Sequence, residues 1–287
     1  MSFIQFARAH GVDIDHNKLF ASDKIRRTGT IDKPKSTNGS YFWDGKRGWV
    51  MDWSGEAKVI WYNDPDAAAW TEAEKTQWAI KRQAQALDQQ KKYENAAQQA
   101  EVTLKAAKME NHSYLQYKGF ADELGLVWNE KLLIPMRNVL TGQLQGYQSI
   151  FFDADARKYE KKMMSGMRAK NAVFYIGARH VEETWLCEGY ATGLSLHKAL
   201  RTCGLKSSVV VCFSASNMVA VADQIPKSRF VFADNDESKT GEKAAQDTGL
   251  PWTMPDQVGF DANDLHTKSG LFAVVSKVMD LRKSMLT

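Results

Sequence analysis

The chain is poor in cysteine. Its three thiols, Cys187, Cys203 and Cys212, form no Cys-x-x-Cys pair. That spacing offers no zinc site, and an odd number of thiols suits a reduced, cytoplasmic setting with buried packing roles. Long apolar runs are also missing, and residues 1–5 carry no signal-peptide pattern. No membrane partner is therefore expected. A third absence is the phosphate-binding pattern Gly-x-x-x-x-Gly-Lys-[Ser/Thr]. Helicase activity is expected from a partner, or from a longer polypeptide of which this is a part. Charge of neither sign dominates: the net charge is +4 and the pI about 8.8. A polyanionic partner is compatible with that balance but not demanded by it.

What is present divides by character. Residues 1–65 read as a small β-rich module. Tyr41-Phe42-Trp43, then Asp44-Gly45, then residues 48–53 form a hairpin pattern with an Asp-Gly turn. A second hairpin is expected to turn at Ser54-Gly55 and run out through Val59-Ile60-Trp61. Lys24, Arg26, Arg27, Lys33, Lys35, Lys46 and Arg47 surround these aromatics. Bases stacking on aromatics among cations is one reading. The plainer one is that the tryptophans fill the core of a small sheet. Residues 66–109 contain neither Gly nor Pro and are rich in Ala, Gln, Lys and Glu, which predicts a long polar helix linking modules. Residues 110–180 are mixed: strand at 132–136, a turn at Gly142, strand at 144–152, then a basic run through Arg157, Lys158, Lys161, Lys162, Arg168 and Lys170. An exposed loop is the plain reading of that run.

Residues 181–287 carry three acidic clusters: Cys187-Glu188-Gly189, Asp234-Asn235-Asp236, and Gly259-Phe260-Asp261-Ala262-Asn263-Asp264. Each is read as following an apolar strand-like run. Strands at 184–187, 207–213, 229–233 and 252–254 alternate with helices at 190–203, 218–222, 241–247 and 271–281. Unbroken apolar strands imply burial on both faces, hence a parallel sheet of βαβ units. Ligands of such sheets bind beyond the carboxyl ends of the strands, where Glu188, Asp234 and Asp236 fall. Carboxylates gathered there suit hard divalent cations shared with phosphates, which points to phosphoryl transfer on nucleotides or nucleic acid.

This ordered set resembles the TOPRIM domain of DnaG-type primases, topoisomerases and some nucleases. Cys187-Glu188-Gly189-Tyr190-Ala191-Thr192-Gly193-Leu194-Ser195 is most similar to primases of phages and conjugative plasmids. So are two upstream segments, His112-Ser113-Tyr114-Leu115-Gln116-Tyr117-Lys118-Gly119 and Leu133-Ile134-Pro135-Met136-Arg137-Asn138. One departure is Ala191-Thr192, where DnaG-type enzymes usually carry a further acid. The resemblance implies an α/β fold: a TOPRIM domain with a four-stranded parallel sheet flanked by helices, after a mixed α+β basic subdomain. It implies an enzyme making short RNA primers on single-stranded DNA from ribonucleoside triphosphates, with two Mg²⁺ or Mn²⁺ ions, no zinc, and a replicative helicase as partner. Asp234, Asp236, Glu188 and Asp261 are the implied metal ligands, with Glu188 also as acid/base at the 3′-hydroxyl. Asp264 would support them or serve only as a helix cap, and Asn263 would orient its neighbours or ligate through its amide oxygen. Lys118, Arg137, Lys158, Lys161 and Lys162 are the implied nucleotide or template contacts. A nuclease using the same acids, and a non-catalytic nucleic-acid binder, are the alternatives.

Overall fold

The computed structural model describes residues 1–53, 58–62, 71–179 and 181–285. The chain divides into two compact units, Met1–Arg82 and Gln83–Thr287.

The first unit opens with α1 (Phe3–Ala9), capped by a reciprocal Ser2–Gln5 capping box. An antiparallel meander follows: β1 (Val12–Asp13), β2 (Ser22–Thr30), β3 (Gly39–Trp43), β4 (Gly48–Asp52) and β5 (Ile60–Tyr62). The β3–β4 hairpin closes where the sequence predicts it. The Asp44 carboxylate accepts the Lys46 and Arg47 amides at 2.8 and 2.6 Å, and Gly45 takes φ +99°. The second expected turn, at Ser54-Gly55, lies outside the described residues. Phe3, Ala7, Val12, Ile14, Tyr41, Val50 and Tyr62 form the core, with Trp43 stacked 4.6 Å from Phe3. Trp53 and Trp61 instead stay half exposed. The tryptophans thus split between the two readings. The strand β2 was not expected, because its polar, basic sequence hides the alternation.

The helix α2 (Glu72–Ala106) runs across the division between the units. It is the long polar helix expected. Ion pairs Glu72–Lys75, Asp88–Lys92 and Glu101–Lys105 lie along it, and Ala96 and Ala100 are buried.

The second unit adds β6 (Lys108–Glu110), α3 (Ser113–Tyr117), β7 (Gly125–Trp128), β8 (Lys131–Asn138), β9 (Leu144–Asp153), β10 (Lys158–Met163) and β11 (Ala172–Ile176). Then come β12 (Glu183–Cys187), α4 (Tyr190–Thr202), β13 (Ser207–Val211), α5 (Ala215–Ala222), β14 (Ser228–Phe232), α6 (Thr240–Asp247), β15 (Trp252–Thr253), α7 (Ala262–Ser269) and α8 (Leu271–Ser284). One mixed sheet runs β10-β9-β8-β11-β13-β12-β14-β15, with β6 and β7 branching from β8. The strands β13, β12, β14 and β15 are mutually parallel, as expected. They do not stand alone: β11 pairs antiparallel with both β13 and β8 and continues the sheet into the antiparallel half. The middle of the basic run is strand rather than loop, β10 pairing with β9 from Lys158↔Asp153 to Met163↔Gln148, while Arg157, Arg168 and Lys170 lie in exposed turns and loop as expected.

The parallel strands are buried on both faces with period two. Trp185, Cys187, Val209, Val211 and Phe232 pack with α4, α7 and α8. Leu186, Val210, Cys212, Val231 and Ala233 pack with α5 and α6. The connections after β12 and β14, neighbours in the sheet, therefore leave on opposite faces. That divergence opens a crevice at their carboxyl ends.

Candidate active site

Glu188 follows β12 directly and Asp234 and Asp236 follow β14, so backbone topology alone brings them to the crevice. Glu188 is half-buried. Burial first and the Asp236 charge second push its carboxyl up, against Lys161 and an amide donated by Ala215. Asp234 is more strongly affected. Burial, then the charges of Asp261 and Glu188, push its carboxyl up to about 8, opposed by Lys161. Its Oδ1 is buried without a hydrogen-bond partner.

Asp236 behaves in the opposite way. Burial would raise its carboxyl, but hydrogen bonds outweigh that and hold it below the usual range. The donors are the Ser238 hydroxyl and the amides of Gly241 (2.9 Å) and Thr240 (3.1 Å), at the start of α6. The chain passes so close here that a Cβ on Gly241 would fall 2.2 Å from the Asp234 carbonyl oxygen. Only glycine fits that approach.

Asp261 reaches the same crevice by another route, and the expectation of a third strand-end acid is corrected. No strand precedes it. Asp261 is the N-cap of α7, in a capping box with Asp264: Oδ1 accepts the Asp264 amide at 2.8 Å, and Asp264 Oδ2 accepts the Asp261 amide at 3.3 Å. Its Oδ2 accepts the Thr192 hydroxyl at 3.0 Å. What brings it to Asp234 is Asn235, between the two aspartates. The Asn235 amide donates to the Phe260 carbonyl (3.0 Å), and its side chain donates to the carbonyls of Pro255 (2.9 Å) and Asp256 (3.3 Å). The sequence reading passed over Asn235 because an amide between two acids carries no metal-ligand signal.

Asn263 is fully buried. Its Nδ2 donates to the Lys118 carbonyl (2.9 Å) and to Ser195 Oγ (3.1 Å), tying α7 to α3 and α4. Its Oδ1 has no partner.

Of the basic candidates, Lys161 meets the acids. Alternation along β10 sets Tyr159 and Lys161 on one face and Lys158, Glu160 and Lys162 on the other. Lys161 keeps open surface, so we read its lowered pKa as the effect of a crowded pocket rather than a sealed core. Loss of hydration acts first and the neighbouring Lys118 charge second, while Asp261, Asp234 and Glu188 pull the other way. Lys158 pairs instead with Glu160 at 3.0 Å, and Lys162 lies 5.2 Å from the Phe151 ring centre. Arg137 is exposed near the end of β8, donating to the Gly142 carbonyl at 3.2 Å, and its charge bears on Glu101.

Lys161 also lines a cavity of about 490 Å³ formed by Tyr114, Tyr117, Phe152 and Tyr159 together with Lys118, Arg157 and Lys158. Tyr159 is its centre, with the Tyr114, Tyr117 and Phe152 rings 5.2, 5.4 and 5.3 Å away. Sequence reasoning missed these aromatics as a group, since strand and helix pairing brings them together from three separate segments.

Residues 183–270, from β12 to the end of α7, match the family model described as "Toprim domain". A solved chain described as "Structure of the DnaG catalytic core" is similar at 15% sequence identity and a TM-score of 0.39. The match covers 61% of this chain and 66% of that one, just under two thirds of its length. No curated protein matches.

Proposed function

We propose that this chain is a metal-dependent nucleotidyltransferase of the primase type, joining ribonucleotides into short RNA primers on single-stranded DNA, as in phage or plasmid replication. The observation that carries the reading is the placement of Glu188, Asp234 and Asp236 directly beyond the carboxyl ends of neighbouring parallel strands, with Asp261 drawn alongside by the Asn235–Phe260 hydrogen bond. An all-oxygen carboxylate set suits Mg²⁺ or Mn²⁺, and the orphaned Oδ1 of Asp234 is an atom such a cation would satisfy. Among the described residues, no three His, Cys, Asp or Glu groups are placed to hold an ion by themselves. That suits a cation held by one or two carboxylates and completed by water and triphosphate oxygens.

Asp234, with Glu188 or Asp261, would hold one ion. Asp236, kept ionised by its donors and with acceptor capacity left on Oδ2, would help hold a second. Bound there, the ions would acidify the primer's 3′-hydroxyl and neutralise the triphosphate. Glu188, its carboxyl raised by burial, would serve as the proton acceptor at that hydroxyl. Lys161 would meet a phosphate as a point charge, with Lys118 beside it. The Tyr159 cavity would hold a base or the template strand by stacking. Arg137, Lys158 and Lys162 would follow the template backbone, and a replicative helicase would supply unwinding.

The test is incubation with single-stranded DNA, labelled ribonucleotides and Mg²⁺ or Mn²⁺. Labelled RNA products support the reading. Cleavage of DNA without joining assigns the same residues to a nuclease. Neither activity, even with a helicase supplied, leaves a nucleic-acid-binding module.

A further inference from the structure

One buried hydroxyl beside the acids has no part in the proposed chemistry. Tyr114 is 1% exposed and, among the described residues, its Oη has no hydrogen-bond partner. A buried donor without an acceptor destabilises a fold, and a phenylalanine at the same place would not. The ring is fixed from both ends of α3. At the start, His112 Nδ1 accepts the Tyr114 amide at 3.1 Å, which leaves the proton on Nε2, 3.1 Å from the Glu130 carbonyl oxygen that accepts it. At the end, the Lys118 carbonyl accepts from Asn263 of α7, two residues beyond Asp261.

Tyr114 stands between two parts of the crevice. On one side its ring meets Tyr159 edge-on at 5.2 Å and lines the aromatic cavity. On the other, the Asp261 charge acts on its hydroxyl, and the Lys161 ammonium lies 5.9 Å from its ring centre. Burial first and the Asp261 charge second push the phenol up, so it keeps its proton and acts as a donor. A nucleoside triphosphate has its parts in the same order. With the base against Tyr159 and the phosphates at Lys161 and the acids, the sugar falls at the junction, beside Tyr114.

We propose that the Tyr114 hydroxyl donates to the ribose 2′-oxygen of the incoming nucleotide and so selects ribonucleotides over deoxyribonucleotides. The inference rests on the nucleotidyl-transfer reading and names the group that chooses its substrate. A deoxyribonucleotide brings only hydrogen to that position and leaves the donor unpartnered, whereas a ribonucleotide satisfies it. Sites built to hydrogen-bond a substrate hydroxyl reject the analogue lacking it far more strongly than sites that sense size alone. The 2′-hydroxyl is also the group by which RNA and DNA building blocks differ.

The experiment compares full-length wild type with Tyr114→Phe, which removes a single oxygen. Without nucleotide the variant is expected to melt no lower than wild type, because the lost hydroxyl had no partner. In single-nucleotide incorporation with Mg²⁺ or Mn²⁺, wild type is expected to favour ATP over 2′-deoxyATP by roughly 100-fold in kcat/KM. Tyr114→Phe should lose about 10–100-fold on ATP and little on 2′-deoxyATP. Calorimetric titration of the same two nucleotides with Ca²⁺, without turnover, should show the preference in wild type and its loss in the variant. A wild type indifferent to the 2′-hydroxyl, or a variant that keeps the full preference, overturns the proposal. So does a variant that melts early and loses both nucleotides equally, since the hydroxyl would then hold the fold. If wild type joins no nucleotides but the Ca²⁺ titration shows the preference and its loss, the sugar contact stands and the primase reading alone falls.

Discussion

The two halves of the long sheet put their chemistry in different places. In the parallel half the central strands β12 and β13 are buried on both faces, and the functional candidates lie past the strand ends, at Glu188 and Asp234. In the antiparallel half β10 has an accessible face, and its candidate, Lys161, projects from the strand itself. The reason is coverage. The crossover helices α4, α5 and α6 bury both faces of the parallel strands and leave only their ends open. The strands β9 and β10 keep exposed side chains, Phe152, Lys161 and Lys162 among them, that are free to meet a ligand. A site built from both halves therefore combines acids set by topology with a cation set by strand register.

The largest test of this contrast falls on the strand ends. Asp234→Asn and Glu188→Gln keep shape and remove charge. Each should abolish primer synthesis by orders of magnitude while the protein folds and binds single-stranded DNA undiminished, as gel-resolved incorporation and anisotropy would read. Full synthesis in both variants would remove the chemistry from this edge.

Register is tested next. Lys161→Met should lower nucleotide incorporation roughly a hundredfold, comparable with the loss of one charge-stabilising group at a reaction centre. Lys158→Met and Lys162→Met, which would remove only template-backbone contacts, should cost a fewfold at most, read as a raised KM for DNA with kcat kept. Equal losses in kcat at all three would mean that the run acts as a diffuse charged surface.

A smaller effect is expected at the clamp. Asn235→Ala removes two side-chain hydrogen bonds to the 255–256 backbone and should cost roughly 1–2 kcal/mol of stability by denaturant titration. It should also weaken Mg²⁺ binding, because the segment leading to Asp261 is then held beside Asp234 by backbone hydrogen bonds alone. An unchanged cation affinity would show that the capping box alone places Asp261.

The smallest effect is in pH. Burial and the neighbouring carboxylates push the Asp234 carboxyl up to about 8 in the fold, against about 4 for a free aspartate. Between those values the unfolded chain has released a proton that the folded chain still holds, so rising pH disfavours the fold across this window. Glu188, also raised, acts in the same direction. In EDTA, Asp234→Asn should therefore melt a few degrees above wild type near pH 8, the gap closing toward pH 4. Mg²⁺ should reverse the order by stabilising wild type alone. A gap that is constant with pH would point to packing rather than charge.

The parallel strands and the acids after them were legible because one physical cause produced both signals. Burial on two faces demands unbroken apolar runs, and the polar residues ending those runs fall at the open edge. The helix α2 was legible from composition without glycine or proline. The strands β2 and β10 were not, since each draws on hydrogen bonds from neighbouring strands while its own residues are mostly charged. The helix α7 was marked by the Asp261–Asp264 spacing, but an aspartate three residues from an aspartate serves equally as a metal motif.

The sequence by itself determined the four parallel strands and the positions of Glu188, Asp234 and Asp236, because local hydrophobic pattern and chain order suffice for both. It did not determine which lysine of the β10 run meets the acids, that Asp261 arrives as a helix cap held by Asn235, or that Tyr114, Phe152 and Tyr159 share a cavity. Those were decided by tertiary structure. Strand register assigns neighbouring side chains to opposite faces, and hydrogen bonds across long separations close the loops. Neither leaves a trace in the spacing of residues along the chain.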